Sequence, residues 1–112
     1  MHEYSIVQSL VDSVAAAVGT RDAAVHEVRV GIGEMSGVDC TLLTTAYEVF
    51  RAGTLCEHAT LTIDRIPVRW VCARCGAVLR RGGFLRCAEC NEPAQLASGD
   101  EIVLQRIELE VS

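Results

Sequence analysis

The spacing of hydrophobic residues predicts that the chain begins with a helix. Over residues 5–18 apolar positions recur every three or four residues, which is typical of an amphipathic helix. Ser5 and Gln8 have the spacing of a capping box, and Gly19 is a natural stop. We therefore expect the first helix to begin at Ser5.

Later segments alternate between apolar and polar residues with the period of strands. This pattern predicts strands over residues 26–32, 60–68 and 101–111, with Pro67 marking the end or the edge position of the middle one. Between the first two strands, three glycines at positions 31, 33 and 37 indicate a turn.

A second helix is predicted between the first two strands. Asp39 is a good N-cap residue, apolar residues follow at helical spacing, and Gly53 closes the segment. Over residues 69–92, before the last strand, the composition changes to cysteine pairs, glycine and arginine. We expect an α+β fold with a small mixed β-sheet, two helices and an inserted module. Residues 1–68 plus 93–112 would form the main domain and residues 69–92 the insert.

Composition and charge limit the functions that the chain and its six cysteines can have. The chain has 112 residues, half of them hydrophobic, and a formal net charge of -5. The acidic balance argues against nucleic acid and anionic membranes as partners. Neither a signal peptide nor an apolar run of membrane-spanning length is visible, so we expect a cytoplasmic protein. In a reducing compartment cysteines are more often metal ligands or core thiols than disulfide partners.

Two CxxC knuckles predict a zinc ribbon. Cys72 with Cys75 and Cys87 with Cys90 present four thiolates, the ligand set that suits tetrahedral Zn²⁺. Redox-active CxxC motifs are the alternative, but those lie between a strand and a helix, a context absent from the predicted elements here. Four thiolates leave no open coordination position, so the zinc is expected to be structural. Residues 77–79 and 84–86 read as a hairpin between the knuckles.

Glycine or asparagine follows each knuckle, at Gly76 and Asn91, and either residue can take the left-handed conformation that such turns need. The two remaining cysteines, Cys40 and Cys56, are expected to be buried as small hydrophobic residues. His26 and His58 are expected at the surface.

The amino terminus offers a second candidate metal site. His2 is not a small residue, so we expect Met1 to be retained, giving a free amine followed by an imidazole and backbone amides. Planar nitrogen coordination of this kind suits Ni²⁺ or Cu²⁺, and Glu3 supplies compensating negative charge. A solvated terminus without metal is the other interpretation, and these residues alone leave both open.

Taken along its whole length, the sequence resembles the HypA/HybF family of nickel metallochaperones. The resemblance rests on Met1-His2-Glu3 with Ser5, on residues 33–38 and 53–54, on both knuckles, and on residues 98–101 with the final strand. Two positions depart from the family pattern: Ala88 replaces the usual proline and Asn91 the usual glycine. Neither is a ligand.

The resemblance implies nickel at Met1, His2 and Glu3, and structural zinc at the four knuckle cysteines. It also implies delivery of nickel to the [NiFe]-hydrogenase large subunit together with a HypB-type GTPase, by a monomer or weak homodimer. Such a protein transfers a metal and is not an enzyme.

Two other functions are alternatives to nickel transfer. A zinc-ribbon adaptor for nucleic acid or protein is one. The ribbon's arginines leave little positive charge once four thiolates and a zinc ion are counted, which disfavours nucleic acid and makes protein contact the better use of those arginines. A dinucleotide site is the other, but the glycine-rich segment reads GxGxxxG rather than GxGxxG, and Glu34 would face the pyrophosphate.

Overall fold

The computed structural model describes residues 2–79 and 85–111. Within these ranges the chain forms two helices and five strands. In chain order they are α1 (His2–Val18), β1 (Ala23–Gly33), α2 (Cys40–Phe50), β2 (Thr60–Ile66), β3 (Arg69–Cys72), β4 (Ala94–Ser98) and β5 (Ile102–Val111). The expected α+β class is confirmed, and neither described helix has the length and apolar character that a membrane crossing requires.

The main sheet has three strands in the order β2-β1-β5. β1 runs parallel to β2, with α2 as the crossover between them, and antiparallel to β5. The mixed sheet predicted from the alternating segments is therefore present. Val28, Val30 and Ile32 of β1 are almost fully buried and form a core with the apolar residues of both helices.

Helix α1 begins at His2, three residues earlier than predicted, so the prediction of a capping box at Ser5 and Gln8 is wrong. Ser5 lies inside the helix and is exposed. The additional residues are held by tertiary contacts with α2 that local sequence rules do not include. The ring of Tyr4 packs edge-on against Phe50, with 5.4 Å between ring centroids. Glu3 also favours a helix start here because an acidic side chain complements the helix dipole.

Helix α2 begins where the sequence predicts. The carboxylate of Asp39 accepts hydrogen bonds from the backbone N–H groups of Thr41, at 2.9 Å, and Leu42, at 3.1 Å. This N-cap satisfies two donors of the first turn that lack intrahelical acceptors. Tyr47 is buried on the inner face of the helix, and its hydroxyl donates to the carbonyl oxygen of Ala59 at 2.8 Å.

Gly33, predicted in the turn, is instead part of β1, and so is Gly31, which the strand predicted over residues 26–32 also included. Gly31 and Gly33 are buried strand residues, whereas Gly37 has a φ of +80° and lies in the turn as expected. A Cβ on Gly33 would lie 2.2 Å from the carbonyl oxygen of Gly99. Gly33 is therefore required by close backbone packing rather than by turn geometry.

The cysteine-rich segment builds a second, separate sheet. Strand β3 pairs antiparallel with β4, from Arg69 opposite Ser98 to Cys72 opposite Ala94. The Cα radius of gyration is 17.8 Å, against about 13 Å for a compact chain of this length, and the longest dimension is 56 Å. The molecule is therefore elongated, with a three-stranded α/β unit and a smaller two-stranded unit.

Candidate metal centres

Four cysteine sulfurs from the two knuckles converge on one point. The Sγ atoms of Cys72, Cys75, Cys87 and Cys90 all lie within 4.8 Å of one another, and the Cys75 and Cys87 sulfurs are 3.9 Å apart. Zinc bonded tetrahedrally to four sulfurs at 2.3 Å places those sulfurs about 3.8 Å apart. The four thiols therefore fit a structural zinc ion, and the ligand set predicted from the sequence is brought together.

The first knuckle is a tight turn whose backbone groups support a sulfur. The N–H of Cys72 donates to Ala77 O at 2.9 Å, and the N–H of Gly76 donates to Cys72 O at 3.0 Å. The N–H groups of Arg74 and Cys75 point at the Cys72 sulfur, at 3.3 and 3.4 Å. Gly76 has a φ of +77°, as the sequence suggested.

The second knuckle repeats this arrangement. The N–H of Cys87 donates to Glu92 O and the N–H of Asn91 donates to Cys87 O, both at 2.9 Å. Asn91 has a φ of +54°, a conformation that asparagine tolerates better than most residues. The replacement of the family's usual glycine therefore leaves the turn intact.

The charges of the thiols are set by their neighbours. Hydrogen bonding from the backbone of Cys75 and then of Arg74 lowers the pKa of Cys72 to about 7, which favours its thiolate. Cys90 behaves in the opposite way: its proximity to the thiol of Cys75, with burial, raises its pKa to about 12. Several thiolates this close repel one another, and a divalent cation removes that penalty by bonding all four.

Two isolated bridges flank the knuckles, one to β3 and one to the residue before β4. Val78 forms a bridge with Val71, and Arg86 forms a bridge with Pro93. The hairpin expected between residues 77–79 and 84–86 depends on positions 80–84, which lie outside the described residues.

The second candidate site lies at the start of α1. His2 is the first residue of the helix, and Met1 lies outside the described residues. The first N–H groups of a helix have no intrahelical acceptor. The carboxylate of Glu3 is held here by hydrogen bonds from its own backbone N–H and from the N–H of Asp39, at 3.2 Å, and both lower the pKa of Glu3.

Cys56 is buried as expected, whereas Cys40 is only partly buried. Cys56 is fully buried, and burial raises the pKa of its thiol. Cys40 is half-buried against the same core, and Arg65 Nη1 donates to its sulfur at 2.8 Å. His26 and His58 have exposed side chains, as expected.

Two contacts near these sites were not visible in the sequence. Asp39 was predicted only as a helix cap, yet its backbone N–H also meets Glu3. Glu34 Oε1 accepts a hydrogen bond from the backbone N–H of Val68 at 2.7 Å, next to the start of β3. Both contacts join residues more than thirty positions apart, and no local pattern indicates such pairs.

Comparison with known proteins finds relatives that match nearly the whole chain. A family model described as "Hydrogenase/urease nickel incorporation, metallochaperone, hypA" matches residues 1–109. Proteins called "Hydrogenase maturation factor HypA" from Wolinella succinogenes and Nitrosospira multiformis are each 38% identical to this chain. The first alignment covers 98% of this chain and 96% of the relative, and the second covers 97% of each.

Solved structures of HypA proteins also match nearly the whole chain. The solution structure of the Ni metallochaperone HypA from Helicobacter pylori superposes with a TM-score of 0.73 at 30% identity, covering 98% of both chains. A second structure, "Solution structure of HypA protein", superposes with a TM-score of 0.77 at 30% identity, covering 100% of this chain and 98% of the other.

These findings favour nickel handling over a zinc-ribbon adaptor function, and a role in maturation over catalysis. The four-cysteine cluster adds a structural zinc site to that role. The chain belongs to the HypA family of nickel metallochaperones.

Proposed function

We propose that this protein binds Ni²⁺ at its N-terminus through Met1, His2 and Glu3 and delivers it during maturation of a [NiFe]-hydrogenase. The observation that carries the proposal is that α1 begins at His2, directly after the terminal residue. Amine, imidazole and backbone nitrogens thus follow one another at a helix end where N–H groups lack intrahelical acceptors. Using such an amide as a ligand breaks no helix hydrogen bond.

The electrostatics of this end suit a cation only because Glu3 is present. The positive end of the α1 dipole opposes a metal ion, and the carboxylate of Glu3, anionic at neutral pH, offsets that field. Planar nitrogen coordination is a preference of Ni²⁺. A site at the chain end has few constraints on ligand exchange, so the ion can pass to a partner that offers further ligands.

The cysteine cluster has a different task in this proposal. Four sulfur ligands complete the coordination of zinc and leave no position for exchange, so this ion stays while nickel is transferred. Because β4 pairs with β3, we propose that the zinc module extends over residues 69–98 rather than ending at 92.

The partners that we propose are a HypB-type GTPase and the hydrogenase large subunit. We propose that the protein binds them in the cytoplasm, as a monomer or weak homodimer. Relatives with this chain's length and 38% identity are called hydrogenase maturation factors, which supports a maturation partner. The acidic net charge of -5 argues against nucleic acid as a ligand.

Calorimetric titration with Ni²⁺ tests the site directly. The zinc-loaded protein with its native terminus is compared with a variant carrying two additional residues before Met1 and with His2→Ala. The control is His58→Ala, which removes a histidine whose side chain is 90% exposed. We expect tight binding to the native and His58→Ala proteins and loss of it in the other two. Normal nickel binding by the extended protein would refute the N-terminal site.

A further inference from the structure

The end of β1 and the turn that follows it contact the two linkers that join the units of the molecule. The chain leaves the three-stranded sheet after Ile66 and returns to it at Ile102, so two linkers, residues 67–68 and 99–101, run between the units. Residues 33–35 bond to both sides of this crossing. Gly33 N–H donates to Glu101 O at 2.8 Å, and Met35 N–H donates to Gly99 O at 2.6 Å.

Close packing adds to these hydrogen bonds. A Cβ on Gly33 would lie 2.2 Å from Gly99 O, and a Cβ on Gly99 would lie 2.7 Å from the Cα of Val68. Three backbone segments therefore cross at distances that leave no room for a side chain at Gly33 or Gly99. Gly99 is buried and its φ is +111°, a conformation that L-residues rarely adopt.

Glu34 is the residue whose side chain spans this crossing. Its backbone N–H donates to Ile66 O at 2.9 Å, which fixes it to the end of β2. Its carboxylate Oε1 accepts from Val68 N–H at 2.7 Å, immediately before β3. The linkers are also tied to each other, because Ser98 Oγ donates to Pro67 O at 3.0 Å.

The turn that carries Glu34 leads directly to the proposed nickel end. Five residues after Glu34 the chain reaches Asp39, whose N–H donates to the Glu3 carboxylate. Residues 34–39 thus contact a linker to the zinc module at one end, through Glu34, and the start of α1 at the other end, through Asp39.

We propose that Glu34 is a positioning residue that locks the orientation of the zinc module relative to the three-stranded sheet, and thereby relative to the N-terminal end of α1. A charge-assisted bond to a backbone N–H is short and directional, so it opposes rotation about the two linkers. Without it, the backbone bonds from Gly33 and Met35 still hold the 99–101 linker, but they do not reach the 67–68 linker. The bonds of Glu34 to Ile66 and Val68 involve none of the proposed nickel ligands, so this inference and the N-terminal nickel site stand or fall separately.

Residual dipolar couplings of the zinc-loaded protein test the inference. They are measured for amides of β1 and α2 and, separately, for amides of β3 and β4. In the wild type and in Glu34→Gln, whose amide oxygen still accepts from Val68, we expect one alignment tensor to fit both units. In Glu34→Ala we expect two different tensors, with zinc content unchanged.

Glu57→Ala is the matched control, because Glu57 also accepts a backbone N–H, from Gly53 at 2.6 Å, but within one turn of the main unit. It should retain the single tensor. If Glu34→Ala does not fold, Glu34→Asp keeps the charge but withdraws the oxygen by one methylene, and it should also give two tensors. Two tensors in the wild type, or a single tensor in the folded Ala or Asp variant, would overturn the proposal.

Discussion

Glu3 and Asp39 are 36 positions apart in the sequence, yet Glu3 Oε2 accepts a hydrogen bond from the backbone N–H of Asp39 at 3.2 Å. The start of α1 is therefore fixed to the N-cap residue of α2. One residue later, Tyr4 contacts Phe50 near the other end of α2. These two contacts fix the direction in which the N-terminus leaves the fold, and with it the proposed nickel ligands.

Replacing Glu3 by alanine should weaken nickel binding. The variant loses both the negative charge that offsets the α1 dipole and the acceptor for Asp39 N–H. Loss of residues that orient metal ligands typically costs about 10- to 100-fold in metal affinity, and we expect a loss in that range here. Calorimetry with Ni²⁺ on the native-terminus protein measures it.

Glu3→Gln separates the two contributions, because its amide oxygen still accepts from Asp39 while the charge is gone. We expect its affinity to lie between those of the wild type and Glu3→Ala. Asp12→Asn, which removes an exposed carboxylate elsewhere on α1, should bind nickel as the wild type does. Wild-type affinity in Glu3→Ala would exclude a role for this side chain.

Zinc removal should unfold the two-stranded unit and leave the α/β unit folded. Within the described residues, the hydrophobic core cluster contains no member of residues 69–98, so that module depends on its metal and its few backbone bonds. The only tryptophan, Trp70, lies in β3 and reports on the module by its fluorescence. Far-UV circular dichroism reports on the two helices.

On chelation of nickel-free protein we expect the Trp70 emission to move to longer wavelength while the helical signal persists. Zinc added back should reverse the change. An unaltered Trp70 emission after a metal count has shown zinc to be gone would mean that the module folds without its ion.

Gly33→Ala should destabilise the protein much more than Gly31→Ala. At Gly33 a new Cβ meets rigid backbone, 2.2 Å from Gly99 O, whereas at Gly31 it meets the ends of the Gln105 and Ile66 side chains, 2.6 Å away. Side-chain ends can rotate aside, and backbone atoms cannot. Overpacking costs about 1–3 kcal/mol or more, and we expect Gly33→Ala at the upper end and Gly31→Ala at the lower.

Urea unfolding followed by circular dichroism measures both changes in the free energy of unfolding. The two variants share the same strand and the same substitution, so differences in intrinsic strand propensity cancel. Equal losses would show that the crossing of Gly33 and Gly99 is looser than its distances indicate.

Features that depend on neighbouring residues were predicted well from the sequence. The Asp39 cap, the buried alternation of β1 and the two knuckles each follow from a few consecutive positions, and the structure confirms them. The left-handed backbone at Gly76 and Asn91 belongs to the same group.

Features that depend on tertiary contacts were missed. The early start of α1 comes from contacts with α2, and Gly31 and Gly33 resemble turn residues until the segments that pack on them are known. The β3–β4 pair joins four- and five-residue strands whose pairing the local pattern does not specify. The Glu34–Val68 bond joins a side chain to a backbone group, and backbone groups carry no sequence signal.

Tyr47→Phe should lower stability at neutral pH by an amount that shrinks in alkali. The variant loses the hydroxyl that donates to Ala59 O at 2.8 Å, and Arg51 Nη1 still donates to that oxygen, so we expect a loss of about 0.5–1.5 kcal/mol at pH 7. Burial raises the pKa of Tyr47 to about 12, above its ordinary value of 10.0.

Because the fold favours the neutral phenol, the wild type loses stability as the pH rises from 10 toward 12, when the unfolded chain ionises and the folded one does not. The phenylalanine variant lacks this dependence. All other titrating groups are shared, so the difference between the two proteins in urea unfolding at pH 7 and pH 11 isolates Tyr47. Tyr4→Phe, at a residue whose exposed fraction is 47%, serves as the control and should follow the wild type. A gap between wild type and Tyr47→Phe that is the same at both pH values would show that the Tyr47 hydroxyl ionises equally easily in the folded and unfolded chain.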